Sequence, residues 1–252
     1  SQNKVSLNST HNLIICKIEL NTIKNKKTIF VLKVFIIPSP PLKIRRHTMN
    51  VKERIVSEAA AMFVRNGIKS ITMDDIACTL GVSKRTIYEL FKDKNELLTE
   101  CLEFHMALNM NENLRILAES PNMIEAMLKF LKRGTEAMEE INFSFFTDLQ
   151  KYHPKVYKDI VVASRHKNIA FTMSMLQRGI EEGVFRSDIK TELVAITLRE
   201  QIDLMTKPDI FPYSKYSKSE VFTSIIINFS RGISTPKGTA LMDELLQNYK
   251  EE

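Results

Sequence analysis

Six side chains between residues 72 and 92 carry chemistry suited to a polyanion: Thr72, Lys84, Arg85, Thr86, Tyr88 and Lys92. Hydroxyls bond phosphate oxygens, and ammonium and guanidinium groups neutralise them. The set is useful only if short helices present it on one face, and the surrounding residues predict two. Thr72 suits the N-cap of the first, with Asp74 in its opening turn and Asp75 three residues on. Ile76, Ala77 and Leu80 give that helix an apolar stripe. Gly81 supplies the positive φ of a tight turn. Ser83 caps a second helix, Lys84 to Phe91, whose Ile87 and Phe91 lie one turn apart and face a core. Lys84, Arg85, Thr86 and Tyr88 then fall on or near the opposite face, toward a groove and its phosphates. Thr72 can also meet a phosphate through its hydroxyl or the free N–H groups at its helix start.

The ordered set is more specific than a bare helix-turn-helix. From Val51 to Leu98 it comprises a preceding helix, VKERIVSEAAAMFVRNG, then the IT-MDDIA-LGVS-TIY core, then F-KDKNELL leading into a long helix. This stretch resembles the DNA-binding domain of TetR-family transcriptional regulators. The resemblance implies that the helix starting at Ser83 and Lys84 lies in the major groove, with Lys84, Arg85 and Thr86 at base edges or nearby phosphates. A lysine or arginine on guanine is worth about 1–3 kcal/mol of discrimination. By position, Tyr88 and Lys94 match phosphate contacts of the family, and Lys92 is a further candidate. In the preceding helix Ile55, Ala59, Met62 and Phe63 read as core support, ending at Gly67 as C-cap.

Bulk charge does not carry this reading. The 252 residues have a net charge of +6. Residues 1–48 hold nine Lys/Arg against one acid, whereas the rest holds 27 against 29. Residues 49–94 hold eight against six, a local positive balance that agrees with phosphate contact. Cys16, Cys78 and Cys101 lack CxxC spacing and a nearby His pair, so neither a disulfide framework nor a zinc site is expected, and a reducing cytoplasm fits. No nucleophile elbow, phosphate-cradling Gly loop or metal-ligand cluster is present. Catalysis, a cofactor and a metal are therefore not expected.

Residues 1–48 contain no Gly, Ala or Asp and are rich in Ile, Lys and Asn. That composition predicts an extension, disordered or not native, with Met49 as the natural start. The apolar run Ile29–Ile37 is shorter than the ~20 residues of a membrane span, and no small-residue cleavage site follows it. If the segment is native, Lys43, Arg45, Arg46 and His47 form a basic arm suited to the minor groove.

The expected fold is all-α. A three-helix DNA-binding domain spans residues 49–98, and a helical effector-binding and dimerisation domain spans 99–252. The periodicity and breakers predict helices over Asp93–Glu119, Asn122–Ile141, Phe143–Tyr152, Lys155–Glu182, Thr191–Thr206, Glu220–Ile233 and Lys237–Tyr249. The resemblance implies a homodimer through helices near 191–206 and 220–233, bound to a pseudo-palindrome of double-stranded DNA. It also implies an apolar effector cavity in the body, for which Met127, Phe130, Phe143, Phe146, Tyr152, His166, Met173 and Met175 are candidates, although such residues more often fill a core. The function implied is a dimeric repressor released from its operator by a small molecule. The alternative is an architectural or partner-regulated DNA-binding factor without such an effector.

Overall fold

The computed structural model describes residues 50–251, with side chains to residue 247. The expectations for residues 1–48 lie outside the described residues. In chain order the helices are α1 (Val51–Asn66), α2 (Met73–Leu80), α3 (Lys84–Leu90), α4 (Lys94–Glu119), α5 (Met123–Glu140), α6 (Phe145–Tyr152), α7 (Pro154–Val156), a π-turn (Tyr157–Val162), α8 (Arg165–Glu181), α9 (Thr191–Leu204), α10 (Lys218–Ile233) and α11 (Pro236–Glu251). Among the described residues the only β-type pairing is an isolated antiparallel bridge between Phe185 and Ser234.

Side-chain caps define most helix starts. Asn50, Thr72 and Ser217 form reciprocal capping boxes with Glu53, Asp75 and Glu220. Ser83, Asp93 and Asn122 each accept from the backbone N–H three residues on. The capping by Asp93, not Asn95, leaves Asn95 to bond His153 Nδ1 across to the start of α7.

Ile55, Ala59 and Phe63 of α1 are buried with Ile76, Ile87, Phe91 and Leu97, which makes one core for α1–α3 and the start of α4. Met62 is only partly buried. Helix α4 runs without interruption through residue 98, so it belongs both to this core and to the body beyond. In the body α10 lies along α5, and α8 packs on α9.

The expected single helix over Lys155–Glu182 is broken. Ala163 N donates to Lys158 O, a π-type bond spanning five residues, and the Ser164 hydroxyl donates to Val161 O. A buried serine that bonds the previous turn competes with the regular ladder, and the adjacent β-branched Val161 and Val162 favour helix weakly. The chain straightens again only at Arg165.

The turn between α1 and α2 is held by groups from outside it. Gly67 has φ 82°, and a Cβ there would collide with the Ser144 hydroxyl. Asn142 N donates to Val64 O at 2.7 Å, and its side chain donates to Arg65 O at 3.2 Å. The buried Asp148 carboxylate accepts from Lys69 N at 2.8 Å and from Ser144 Oγ at 3.2 Å. Lys94 Nζ donates to Ile68 O and Ile71 O.

Asp148→Ala should therefore destabilise the fold by about 1–3 kcal/mol, the cost of leaving a backbone donor unsatisfied, read as a fall in denaturation midpoint. A second prediction concerns His105 on α4, whose pKa burial pushes down to about 4. The unfolded chain binds this proton near 6.5 and the folded chain does not, so stability should fall as pH drops from about 6.5 toward 4, by up to roughly 3 kcal/mol from this group. Denaturant titrations of the parent and His105→Gln across that range should show the smaller slope in the variant.

Candidate nucleic-acid interface

Helices α2 and α3 meet at Gly81, whose φ of 63° and ψ of 32° lie in the left-handed region that the turn requires. Its N–H bonds Cys78 O, and Val82 N bonds Ala77 O, which closes the end of α2. Ile87 is buried on the inner side of α3. Lys84, Arg85 and Tyr88 are exposed on its other side, with Thr86 half-buried. The structure thus brings four of the expected DNA-binding residues onto one short helix, with Thr72, Ser83 and Lys92 exposed near by.

The cations are not idle in the free protein. Lys84 Nζ pairs with Asp74 at 2.8 Å and lies 5.9 Å from the Tyr88 ring centre. The hydrogen bond and charge of Asp74 raise the Lys84 pKa, so this side chain stays protonated. Arg85 Nε pairs with Glu89 at 2.7 Å, one helical turn on. Both pairs are solvent-exposed, and such pairs contribute about 0–1 kcal/mol. An incoming phosphate can therefore displace either carboxylate at small cost. The partners Asp74 and Glu89 hold the cations near the surface without competing strongly for them.

The hydroxyls are more committed. Asp75 accepts from both Thr72 N and Thr72 Oγ1, and these bonds hold its carboxyl below the usual range. Ser83 Oγ accepts from Thr86 N and shares a hydrogen bond with Thr86 Oγ1. Lys94 differs most from a simple phosphate contact. It is half-buried against two carbonyls, and burial lowers its pKa despite the nearby Asp148 and Asp75. Its internal task was not legible in sequence, because both carbonyls lie more than twenty residues away.

A cavity of about 90 Å³ lies in the body among α4, α5, α8 and α10. Of the eight candidates for it, Met127, Phe130 and Met175 line it. Phe143 instead stacks near Tyr213 at the surface, and Tyr152 and His166 are exposed. Phe146 and Met173 pack against the core away from the lining. The polar lining residues Asn109, Asn113, Arg133, Thr172 and Ser230 were missed. The available signal was Asn109 and Asn113 four residues apart, on the otherwise apolar buried face of α4.

Residues 55–101 match the family model described as bacterial regulatory proteins, tetR family. This segment is similar to the TetR family's regulatory domain. An uncharacterised HTH-type transcriptional regulator of Bacillus subtilis, YvaF, is 25% identical over 72% of this chain and 95% of its own length. The HTH-type transcriptional repressor KstR2 of Mycobacterium tuberculosis is 26% identical over 56% of this chain and 72% of its own. In fold, the chain resembles a TetR-family regulator from Agrobacterium tumefaciens with a TM-score of 0.60, over 73% of this chain and 97% of that one, at 13% identity. These relatives are transcriptional regulators. The matched segment takes in most of α1, all of α2 and α3 and the start of α4, so the helix-turn-helix of a DNA-binding regulator falls on these helices. Among the described residues no helix is long and apolar enough to cross a membrane.

The contact types predict separable effects. Lys92→Ala should weaken binding to all sequences alike and reduce the salt slope by about one. Tyr88→Phe should weaken all sequences without changing the slope. Lys84→Ala or Arg85→Ala should relax preference at particular base pairs by about 1–3 kcal/mol, measured by binding to a panel of single-base operator variants. Equal losses on every member of the panel would assign these two to phosphate instead.

Proposed function

We propose that this protein is a dimeric repressor whose body binds a small molecule and thereby releases a pseudo-palindromic operator. The observation that carries the reading is the pairing of an exposed, cationic α3 with a lined cavity in the same chain. Residues 49–98 act as the DNA-binding head, and residues 99–252 act as the effector and dimerisation part. Lys84, Arg85 and Thr86 read base edges or adjacent phosphates. Thr72, Ser83, Tyr88, Lys92 and Lys94 fix the head on the backbone, with Lys94 exchanging a carbonyl for a phosphate oxygen.

Dimerisation runs through α9 and α10, near residues 191–206 and 220–233. Leu193 and Ile196 are exposed on α9. On α10 only Val221 and Phe222 are buried among the large apolar side chains before Ile233, while Ile225, Ile226, Ile227 and Phe229 are partly covered. A two-fold pairing of these helices would cover that surface and set two α3 helices about 34–36 Å apart, one turn of DNA. Release by a ligand requires that the ligand favour the conformation that binds DNA less well.

Footprinting on DNA upstream of the gene and its neighbour should show a protected pseudo-palindrome. Leu193→Glu combined with Ile225→Glu should give a folded monomer by light scattering that no longer protects it. A dimer that survives this change would move the interface elsewhere, and the absence of any protected pseudo-palindrome would count against the repressor reading.

A further inference from the structure

The corner between α6 and α7 carries positive charge that the helix-turn-helix does not account for. Residues 149–158 hold three lysines and no acid, and residues 66–73 hold Lys69 and no acid. Tyr152, at the end of α6, is 42% exposed. Lys69 Nζ, from the turn between α1 and α2, lies 5.1 Å from the centre of its ring, and Lys151 Nζ lies 5.5 Å from it. Two exposed lysines, one from the head and one from the body, thus share one aromatic side chain. A ring face attracts a cation through its quadrupole but brings no negative charge to neutralise it. An anion placed between the two ammonium groups meets both charges at once.

This pair of lysines adjoins the start of α4 on two sides. Lys94 Nζ holds the carbonyls of Ile68 and Ile71, one on either side of Lys69 and Ser70, and Thr72 follows at once. Asn95, the neighbour of Lys94, bonds His153, the neighbour of Tyr152, at 2.5 Å. Burial, and after it the Lys94 charge, lower the His153 pKa against the pull of Asp148 and Asp93, which agrees with that closeness. The corner is also fixed rather than loose. Asp148 of α6 is buried, and it accepts from Lys69 N and Ser144 Oγ. Its bonds hold the backbone that carries Lys69 against the helix that carries Lys151.

We infer that Lys69, Lys151 and Tyr152 form a second phosphate-binding platform, shared by head and body, that grips the backbone of duplex DNA beside the phosphates met by Thr72 and Lys94. This rests on the proposed DNA-binding role of the head and extends its contact surface onto α6. One strand presents a phosphate for every ~3.4 Å of helix axis, so a strand that reaches Thr72 and Lys94 carries further phosphates close by. Lysine suits them as a point charge on a flexible stem. The Tyr152 ring keeps both stems near one place, and its hydroxyl can donate to a phosphate oxygen. Such contacts add affinity and fix orientation without reading sequence.

The test is fluorescence anisotropy of the full chain on its footprinted operator and on a random-sequence duplex of equal length, from about 50 to 200 mM KCl. Lys69→Gln combined with Lys151→Gln should reduce the slope of log K against log [KCl] by about two for each head engaged, on both duplexes. It should also weaken binding roughly tenfold or more at the lowest salt. Lys190→Gln combined with Lys237→Gln removes equal charge beyond the other end of α8, where Lys237 Nζ bonds Glu182 O, about 25 Å along that helix. This control should change the slope by less than half as much. Both substituted lysines of the platform are exposed, so the denaturation midpoint should hold; if it falls, Lys151→Gln alone should lower the slope by about one per head. Ethylation interference on the operator should lose one or two phosphates per half-site in the platform variant and keep the others. An unchanged slope, an equal fall in the control, or an unaltered interference pattern would overturn the platform. A parent chain that binds neither duplex at the lowest salt would instead overturn the DNA-binding reading on which it rests.

Discussion

The turn that leaves α1 is the constraint on which the rest depends. Its carbonyls at Val64, Arg65, Ile68 and Ile71 and its N–H at Lys69 are satisfied by Asn142, Lys94 and Asp148. None of these partners lies in α1 or α2. Backbone groups that cannot reach water must find partners, so the path of the chain into α2 is set by the body and by the first residue of α4. The recognition helix follows α2 by a turn of three residues. Its position therefore depends on where α4 and the Asn142–Asp148 segment sit. A shift of α4 relative to that segment would have to break or carry along this set of bonds. That is the physical connection by which an event in the body can reach the DNA-binding surface.

The two surfaces of the protein use charge in opposite ways. On α3, lysine and arginine are solvent-exposed and lightly paired with Asp74 and Glu89. Weak exposed pairs keep the cations soluble and available for exchange with phosphate, and salt screens the whole contact. In the body, Arg133 is withdrawn from water and braced by two amides. There burial outweighs the attraction of Glu112 and Glu136 and lowers the guanidinium's pKa.

The break after α7 bears on the same geometry. A single straight helix from Lys155 would give α8 one fixed axis from the start of α7. The π-turn and the Ser164 bond let α8 begin again at Arg165. From there Asn168, Phe171, Thr172 and Leu176 are buried along one face of α8. Arg165 ties this new start to Glu200 and Asp203 of α9, one of the two helices proposed to form the dimer.

Much of the fold was legible in the residues, and the reason is range. Caps such as Thr72 with Asp75, the Gly81 turn, the Ile87 side of α3 and the apolar stripes of α1 and α5 all act within one or two helical turns. Their order matched the family's DNA-binding head before any contact was known. The exposed pairing of Arg85 with Glu89 was within reach too, being four residues apart. What only the tertiary structure decided acts across 20 to 80 residues: Lys94 on Ile68 O, Asn113 on Arg133, Asp148 on Lys69 N. Local periodicity marks Asn109 and Asn113 as polar and says nothing of what they face. A buried polar group takes its meaning from its partner, and the partner is chosen by packing between helices rather than by the sequence around either residue.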